Sequence, residues 1–268
     1  MSVSRPTLAI VPVVLHAPAQ LEQQVDCLMS LWATAPETEV LVIDDGSPQQ
    51  GLVDQLEGAT GELGYRLVRR PANNGVAAAA NVGLREAIAT ERDALVVAPG
   101  VGFIEPGWLE SMRARTDTKS RPAAVVGARL LYPNGLLAHA GMFFSLLGRE
   151  FRYRYRMGPG DLPEALVPCR CPVSGALQLI RHETLETVGV YDEEFWLGWE
   201  DVDYCLRTFA ADLECIYEPA ARAIHQLAAA SDDPNDPRVK VSRDQSLRHL
   251  LTKYLTDDLS AYVPDLKG

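Results

Sequence analysis

The stretch EVLVIDDGSP, residues 39–48, sets two carboxylates and a turn directly behind a run of strand-forming residues. The run is short, rich in branched side chains and closed by Gly46 and Pro48, which is typical of a buried strand that ends in a loop. Similar apolar runs, LAIVPVVL (8–15) and DALVVA (93–98), lie on either side of it and alternate with helical patterns. The alternation predicts βαβ units and an α/β fold, with a mixed, mainly parallel central sheet flanked by helices.

The ends of the predicted strands indicate where a ligand would bind. In open parallel sheets, ligands lie in the crevice beyond the carboxyl ends of the strands. We therefore expect the loops that follow Leu15, Ile43, Arg69 and Val97 to converge on one crevice.

Composition narrows the class of protein. The 268 residues are 47% hydrophobic, enough to bury the core of one large domain. The formal net charge of −11 argues against nucleic acid and anionic lipid as partners. No apolar run reaches the roughly eighteen residues of a transmembrane helix, so we expect a cytoplasmic protein. The five cysteines suit reduced thiols, and for the C-x-C pair Cys169 and Cys171 packing is favoured over metal binding.

The chain after residue 107 is less regular. Residues 149–168 have no clean period and carry four arginines, which predicts a mobile flap. A final helix is expected over about residues 239–256, and its apolar stripe covers either its own core, the favoured interpretation, or a second copy in a homodimer. The stripe consists of Leu247, Leu250, Leu251, Tyr254 and Leu255.

The stretch FWLGWEDVDYCLR (195–207) leads into a predicted helix that begins near Glu200. Its core-facing stripe consists of Val202, Leu206 and Phe209. Glu200, Asp203 and Arg207 share another side, where the acid-before-base order favours a structural ion pair.

Asp201 is left out of that cluster, at a helix N-terminus that favours its charged form. A first-turn carboxylate beside a cleft can act as a general base, although acids also occur there only to complement the helix dipole. Trp196 and Trp199 flank Gly198 and could stack on a sugar ring, with core packing as the alternative.

Asn73, Asn74 and Gly75 precede an alanine-rich helical pattern. An Asn cap, a glycine and small side chains suit a helix N-terminus that an anionic ligand approaches closely. A capped, tightly packed helix is the alternative, but it does not explain the doubled Asn.

Six segments together resemble the inverting family 2 glycosyltransferases with the GT-A fold, especially the rhamnosyltransferase-like branch. They are VIDDGSP (42–48), NNGVAAAANVGL (73–84), EPGWL (105–109), YPNGLLAHAG (132–141), SGALQLIRHETLETVGVYDEEFWLGWEDVDYCLR (174–207) and YEPAARAIH (217–225). The resemblance covers roughly residues 7–226. It implies a single GT-A domain over residues 1–268, with a nucleotide-binding half (about 1–100), an acceptor-binding half (about 101–230) and a C-terminal loop and helix (about 231–268).

In this family a nucleotide-sugar donor lies in the crevice, and an acceptor hydroxyl attacks the anomeric carbon from the far side. The donor-binding residues that the resemblance implies are Asp44, Asp45, Asn73, Asn74, Gly75 and Asn81. It implies Asp201 as the catalytic base beside Glu200, and acceptor contacts from Trp196 and Trp199. His225 matches a histidine that helps to bind metal or diphosphate.

One motif departs from the family. Its members carry Asp-x-Asp or Asn-x-Asp after the fourth strand, and the acid holds a divalent cation, Mg or Mn, against the diphosphate. Here that stretch is Ala98-Pro99-Gly100, so metal dependence is in doubt. Residues that could compensate as ligands are Asp45, Glu105 and His225, and arginines that could neutralise the leaving group are Arg152, Arg154 and Arg156.

The resemblance implies transfer of a sugar from a nucleotide-sugar donor to a carbohydrate, lipid-linked or small-molecule acceptor. A pseudo-glycosyltransferase, which binds nucleotide or glycan without turnover, is the alternative that the altered motif leaves open. A nucleotidyltransferase of related architecture is disfavoured by the WEDVD stretch (199–203) and His225.

Overall fold

The protein is described by a computed structural model over residues 5–118, 122–145, 150–226 and 237–254. The strands within these ranges are β1 (Thr7–Val13), β2 (Glu39–Asp44), β3 (Arg66–Arg69), β4 (Asp93–Val97), β5 (Val101–Phe103), β6 (Val125–Leu131), β7 (Leu137–His139), β8 (Met142–Ser145), β9 (Glu150–Tyr153), β10 (Cys169–Arg170), β11 (Leu177–Ile180) and β12 (Cys215–His225). The helices are α1 (Pro18–Thr34), α2 (Gln50–Glu62), α3 (Val76–Ala89), α4 (Trp108–Thr116), α5 (His182–Val188), α6 (Glu200–Ala210) and α7 (Pro237–Tyr254), with a 3-10 turn at Pro163–Leu166.

The central sheet is mixed and confirms the predicted fold class. Its strand order is β10-β12-β6-β11-β4-β1-β2-β3, with β5 paired to β12 and β7 paired to β6. Strands β4, β1, β2 and β3 are mutually parallel, whereas β11 runs antiparallel between β4 and β6. Every residue of β1 and β4 is buried, as expected for strands that are covered by helices on both faces.

Two cores lie on the two faces of the sheet. Successive strand residues point to opposite faces, so Ile10 packs in the core with α3, α6 and α7, while Val11 packs in the core with α1, α2 and α4. This arrangement leaves the carboxyl ends of the parallel strands open to a ligand.

Two helices have weak sequence signals and were not predicted. α2 contains Gly51, Gly58 and Gly61, which are poor helix formers, yet it buries Leu52 and Leu56 against the sheet. α5 has only seven residues, too few for a clear period. Tertiary burial, rather than intrinsic propensity, stabilises both helices.

The predicted mobile flap is not what the structure shows for residues 150–168. β9 pairs with β8, and the N–H groups of Arg154 and Met157 donate to the carbonyls of Gly141 and Leu137. The segment lacks a period because its backbone bonds to neighbouring turns. Arg149 lies outside the described residues.

The C-terminal helix packs on the protein's own core, as favoured above. Leu250 and Tyr254 are buried in the same core as α6, and Leu255 lies outside the described residues. The Tyr254 hydroxyl donates to Asp203 at 2.6 Å, and Lys253 forms ion pairs with Asp203 and Asp192. Among the helices described here, none combines the length and apolarity that crossing a membrane requires.

Candidate active site

A cavity of about 540 Å³ opens at the carboxyl ends of the parallel strands. Residues that follow β1, β2, β3 and β4 all line it, which confirms the predicted convergence of these loops. We call this part the strand wall, and it comprises Leu15, His16, Asp45, Asn73, Gly75, Ala98 and Pro99. We call a second part the helix wall, and it comprises Trp196, Leu197, Gly198, Glu200, Asp201 and Arg243.

Gly75 joins the two walls. It is the N-cap of α3 with a φ of +92°, and the next N–H, that of Val76, donates to the Trp196 carbonyl at 3.0 Å. A Cβ at Gly75 would overlap that carbonyl oxygen, so only glycine fits. The predicted Asn cap is wrong in detail, because Asn73 accepts from the Gly75 N–H in the turn before the helix.

Asp45 supports this turn from below. Its carboxylate accepts the N–H groups of Asn74 and Gly75, both at 3.1 Å, and pairs with Arg70. Burial raises the pKa of Asp45, and the charge of Arg70 opposes the shift. Asp45 therefore reaches the cavity as a largely neutralised group, and Asn74 contributes its backbone N–H to holding it.

Besides Asn74, two predicted donor-binding residues lie outside the cavity wall. Asp44 is fully buried, where it accepts from the Ser47 N–H and hydroxyl and pairs with Arg69. Its neighbour Asp45 points the other way along the strand, as the alternation of side chains requires. Asn81 is also buried and exchanges hydrogen bonds with the Tyr191 backbone. Both are structural supports.

Asp201 lies in the first turn of α6, in the helix wall. One carboxylate oxygen accepts the Gly175 N–H at 2.7 Å, and the other accepts the Val202 N–H at 2.8 Å. Burial raises the pKa of Asp201, and these two backbone donors oppose the rise by stabilising the carboxylate. Asp201 is thus a half-buried carboxylate at the cavity, as a general base requires.

Glu200 is buried beside Asp201 and does not join the predicted ion-pair cluster. Burial and, after it, the charge of Asp201 raise the pKa of Glu200 to about 8, while Arg243 opposes the rise. The Asp203–Arg207 pair does form, at 2.8 Å. Burial thus raises the pKa of both acids, and the two backbone N–H groups on Asp201 favour its charged form, whereas Glu200 keeps its proton at neutral pH.

His139 supports the loop that holds Asp201, and the sequence did not single it out. Its Nε2 accepts the N–H groups of Gly141 and Ser174, at 3.2 and 3.1 Å. Burial lowers the pKa of His139 to about 3, so the ring is neutral with its proton on Nδ1. The only signal was its position inside the segment 132–141.

The two tryptophans have different roles. Trp196 is 38% exposed and lines the cavity. Trp199 is the N-cap of α6 with a left-handed φ of 74°, and its side chain packs against the core, outside the cavity wall. Of the two predicted acceptor contacts, only Trp196 is in position.

Residues 9–135 match the model of glycosyl transferase family 2. Over these residues the chain resembles that family. This fold is GT-A, as two solved structures support.

The first of these structures is a mannosyltransferase, PcManGT from Pyrobaculum calidifontis, in complex with GDP-Man and Mn2+. It is 17% identical with a TM-score of 0.65, over 96% of this chain and 66% of that one. The second is GalNAc-T7 with UDP, GalNAc and Mn2+, 14% identical with a TM-score of 0.68, over 92% of this chain and 48% of that one.

Two curated proteins are similar to the chain. An uncharacterized protein of Sinorhizobium fredii, y4gI, is 28% identical over 244 residues, 85% of this chain. The O-antigen biosynthesis protein RfbC of Myxococcus xanthus is 27% identical over 133 residues, 47% of this chain. The chain spans about a quarter of the length of the first relative, 26%, and 10% of the second.

The end of β4 does not fit a divalent cation. Ala98 offers a methyl group, and at Gly100, with a φ of +76°, a Cβ would lie 2.5 Å from the Gln226 carbonyl oxygen. Glu105 pairs with Arg222 at 2.7 Å and is not among the lining residues, whereas His225 does line the cavity. No group of three His, Cys, Asp or Glu suited to a metal occurs in the described part of the chain.

The predicted arginines do not line the cavity either. Arg154 donates to the Cys169 sulfur, and Arg156 donates to the Tyr132 hydroxyl; neither these two nor Arg152 belongs to the lining residues. Arg243 of α7 does line it. Sequence carried no signal for Arg243, because its place depends on how α7 docks.

Proposed function

We propose that the chain transfers a sugar from a nucleotide-diphosphate sugar to an acceptor hydroxyl, with inversion at the anomeric carbon. The observation that carries the proposal is Asp201, a carboxyl group in the wall of a cavity at the strand ends, where two backbone N–H groups stabilise its charged form. Inverting transfer needs one base and a site large enough for the donor, and a cavity of about 540 Å³ is of that size.

The reaction follows from the chemistry of the two acids. Asp201 takes the proton of the acceptor hydroxyl while the hydroxyl oxygen bonds to the anomeric carbon. The bond from that carbon to the diphosphate oxygen breaks, and its electron pair leaves with the nucleoside diphosphate. Glu200, protonated at neutral pH, adds no second charge that would repel the developing anion.

The strand wall suits the donor. The N-terminus of α3 at Gly75 favours the negative charge of a diphosphate, and Ala79, which also lines the cavity, permits close approach. Trp196 offers an exposed indole face on which a sugar ring can stack. The nucleotides in the related solved structures, GDP and UDP, make guanine and uracil donors the first to test.

The likeness to an O-antigen biosynthesis protein supports a glycan acceptor and, within the family, the rhamnosyltransferase-like branch. All five cysteines are free thiols, in keeping with a reducing compartment such as the cytoplasm.

Transfer and donor hydrolysis should be measured with a panel of nucleotide sugars, with and without EDTA, in the wild type and in Asp201→Asn. We expect turnover with at least one donor and its loss in the variant, while nucleotide binding persists. The altered motif Ala98-Pro99-Gly100 favours the alternative, a pseudo-glycosyltransferase. Nucleotide binding without turnover of any donor would overturn our proposal in favour of that alternative.

A further inference from the structure

The strand end that would carry the metal-binding acids is sterically closed at its second position. An acid introduced at Gly100 would need a positive φ and would meet the Gln226 carbonyl oxygen. The nearest other acid of the strand wall, Asp45, already uses both carboxylate oxygens, on Arg70 and on the N–H groups of Asn74 and Gly75. The strand wall therefore has no carboxylate available to bind a divalent cation.

A positive charge enters the cavity from the helix wall instead. Arg243 is half-buried, and its Cγ lies 3.9 Å from where a Cβ would stand on Gly198. Among the described residues that line the cavity, Arg243 is the one Lys or Arg side chain. Its charge also acts on Glu200, the neighbour of Asp201, so the guanidinium field reaches the reacting groups.

The fold fixes the helix that carries Arg243. α7 is anchored near its C-terminal end by buried Leu250 and by the bonds of Lys253 and Tyr254 to Asp203. Asp203 belongs to α6, as does Asp201. Arg243 and the proposed base are thus held on one connected pair of helices.

We propose that Arg243 takes the place of the divalent cation: its guanidinium binds the donor diphosphate, and transfer proceeds without metal. This rests on the proposed function. A guanidinium binds two phosphate oxygens through parallel N–H groups and remains charged at any physiological pH. When the bond to the anomeric carbon breaks, the electron pair moves onto the diphosphate, and Arg243 stabilises the added negative charge.

Binding of UDP, GDP, ADP and dTDP, and of the matching nucleosides, should be measured by calorimetry on the full chain, in EDTA and in Mn2+. We expect one diphosphate to bind in EDTA and to gain less than about twofold from Mn2+. Arg243→Gln should weaken diphosphate binding by about ten- to a hundredfold and leave nucleoside binding unchanged, with Arg243→Lys between the two. Arg248→Gln, on the exposed face of the same helix, is the matched control and should change nothing.

Two results would overturn the inference: diphosphate binding that requires Mn2+, or equal diphosphate affinity in Arg243→Gln and wild type when both retain the same Tm. Transfer that EDTA abolishes and Arg243→Gln does not affect would leave the proposed function standing and this inference refuted. Arg243-dependent diphosphate binding in EDTA without any transfer would refute the proposed function and metal-free transfer, and would support only the diphosphate-binding role of Arg243. If no nucleoside diphosphate binds under any condition, both fail.

Discussion

The strand wall and the helix wall of the cavity are built in different ways. On the strand wall the one acid, Asp45, is already neutralised, since it pairs with Arg70 and accepts two backbone N–H groups, and most of what remains is backbone and aliphatic side chains. On the helix wall three ionisable groups, Glu200, Asp201 and Arg243, lie together. In the proposed function, the strand wall supplies shape and anion binding, and the helix wall supplies the groups that take part in the reaction.

The largest effect should come from Asp201→Asn. Without the carboxylate nothing removes the acceptor proton, so kcat should fall by about 10²- to 10⁴-fold. Affinity for the nucleoside diphosphate should stay within about twofold if the two walls divide their tasks as proposed. Glu110→Gln, an exposed change on α4, is the control. An unchanged kcat in Asp201→Asn would contradict the role of the helix wall in the reaction.

Gly75→Ala should have the second largest effect, because the backbone of the strand wall contacts that of the helix wall at Gly75. The new Cβ would overlap the Trp196 carbonyl at a φ of +92°. We expect a loss of about 3 kcal/mol in the free energy of unfolding, measured by denaturant titration. Gly64→Ala is matched, since its φ is +71° with no atom within 4 Å, and it should cost only about 1–2 kcal/mol. Equal costs would show that the junction is not tight.

Glu200→Gln tests the separation of the two acids through pH. The folded pKa of Glu200, about 8, lies above its ordinary value of 4.5, so the folded state keeps a proton that the unfolded chain releases. Stability of the wild type should therefore fall as pH rises from about 4.5 to about 8. The Glu200→Gln variant should lose much of this dependence of stability on pH. Its Tm relative to that of the wild type should therefore rise by a few degrees from pH 5 to pH 8. A gap in Tm that stays constant with pH would contradict the assignment.

Tyr254→Phe should have the smallest effect. It removes the hydrogen bond to Asp203 that helps to anchor α7, at a cost of about 1–2 kcal/mol, with a weakening of diphosphate binding of only a few fold. In Tyr65→Phe the lost hydroxyl is buried with no hydrogen-bond partner among the described residues, so this control should be neutral. An equal loss of unfolding free energy in Tyr65→Phe would mean that the bond from Tyr254 to Asp203 does not specifically stabilise α7.

The fold was predictable where local patterns are strong. The parallel strands β1, β2 and β4 and the helix α3 have clear periods, and the convergence of the loops after them follows from topology alone. α2 was not predicted because its glycines hide the period. The strands β8 to β10 are two to four residues long, too short for a clear alternation, and β10 also depends on pairing with the distant strand β12.

The site was predictable by residue type but not by side-chain direction. Asp45, Asn73, Gly75, Trp196 and Asp201 line the cavity as expected, together with Glu200 and His225. Asp44, Asn81 and Trp199 belong to the same motifs, but Trp199 packs against the core, and Asp44 and Asn81 bond to backbone groups of neighbouring loops. Arg243 is 42 residues beyond Asp201 in the chain, and only the docking of α7 brings it to the cavity.

The division of tasks between the walls is tested most directly by proton NMR of the anomeric signal during donor turnover in EDTA, with wild type and Asp201→Asn run side by side. We predict that the first product formed by the wild type has the inverted anomeric configuration, and that the variant binds the nucleoside diphosphate but forms no product. A retained configuration, or equal rates in the two proteins, would contradict the account.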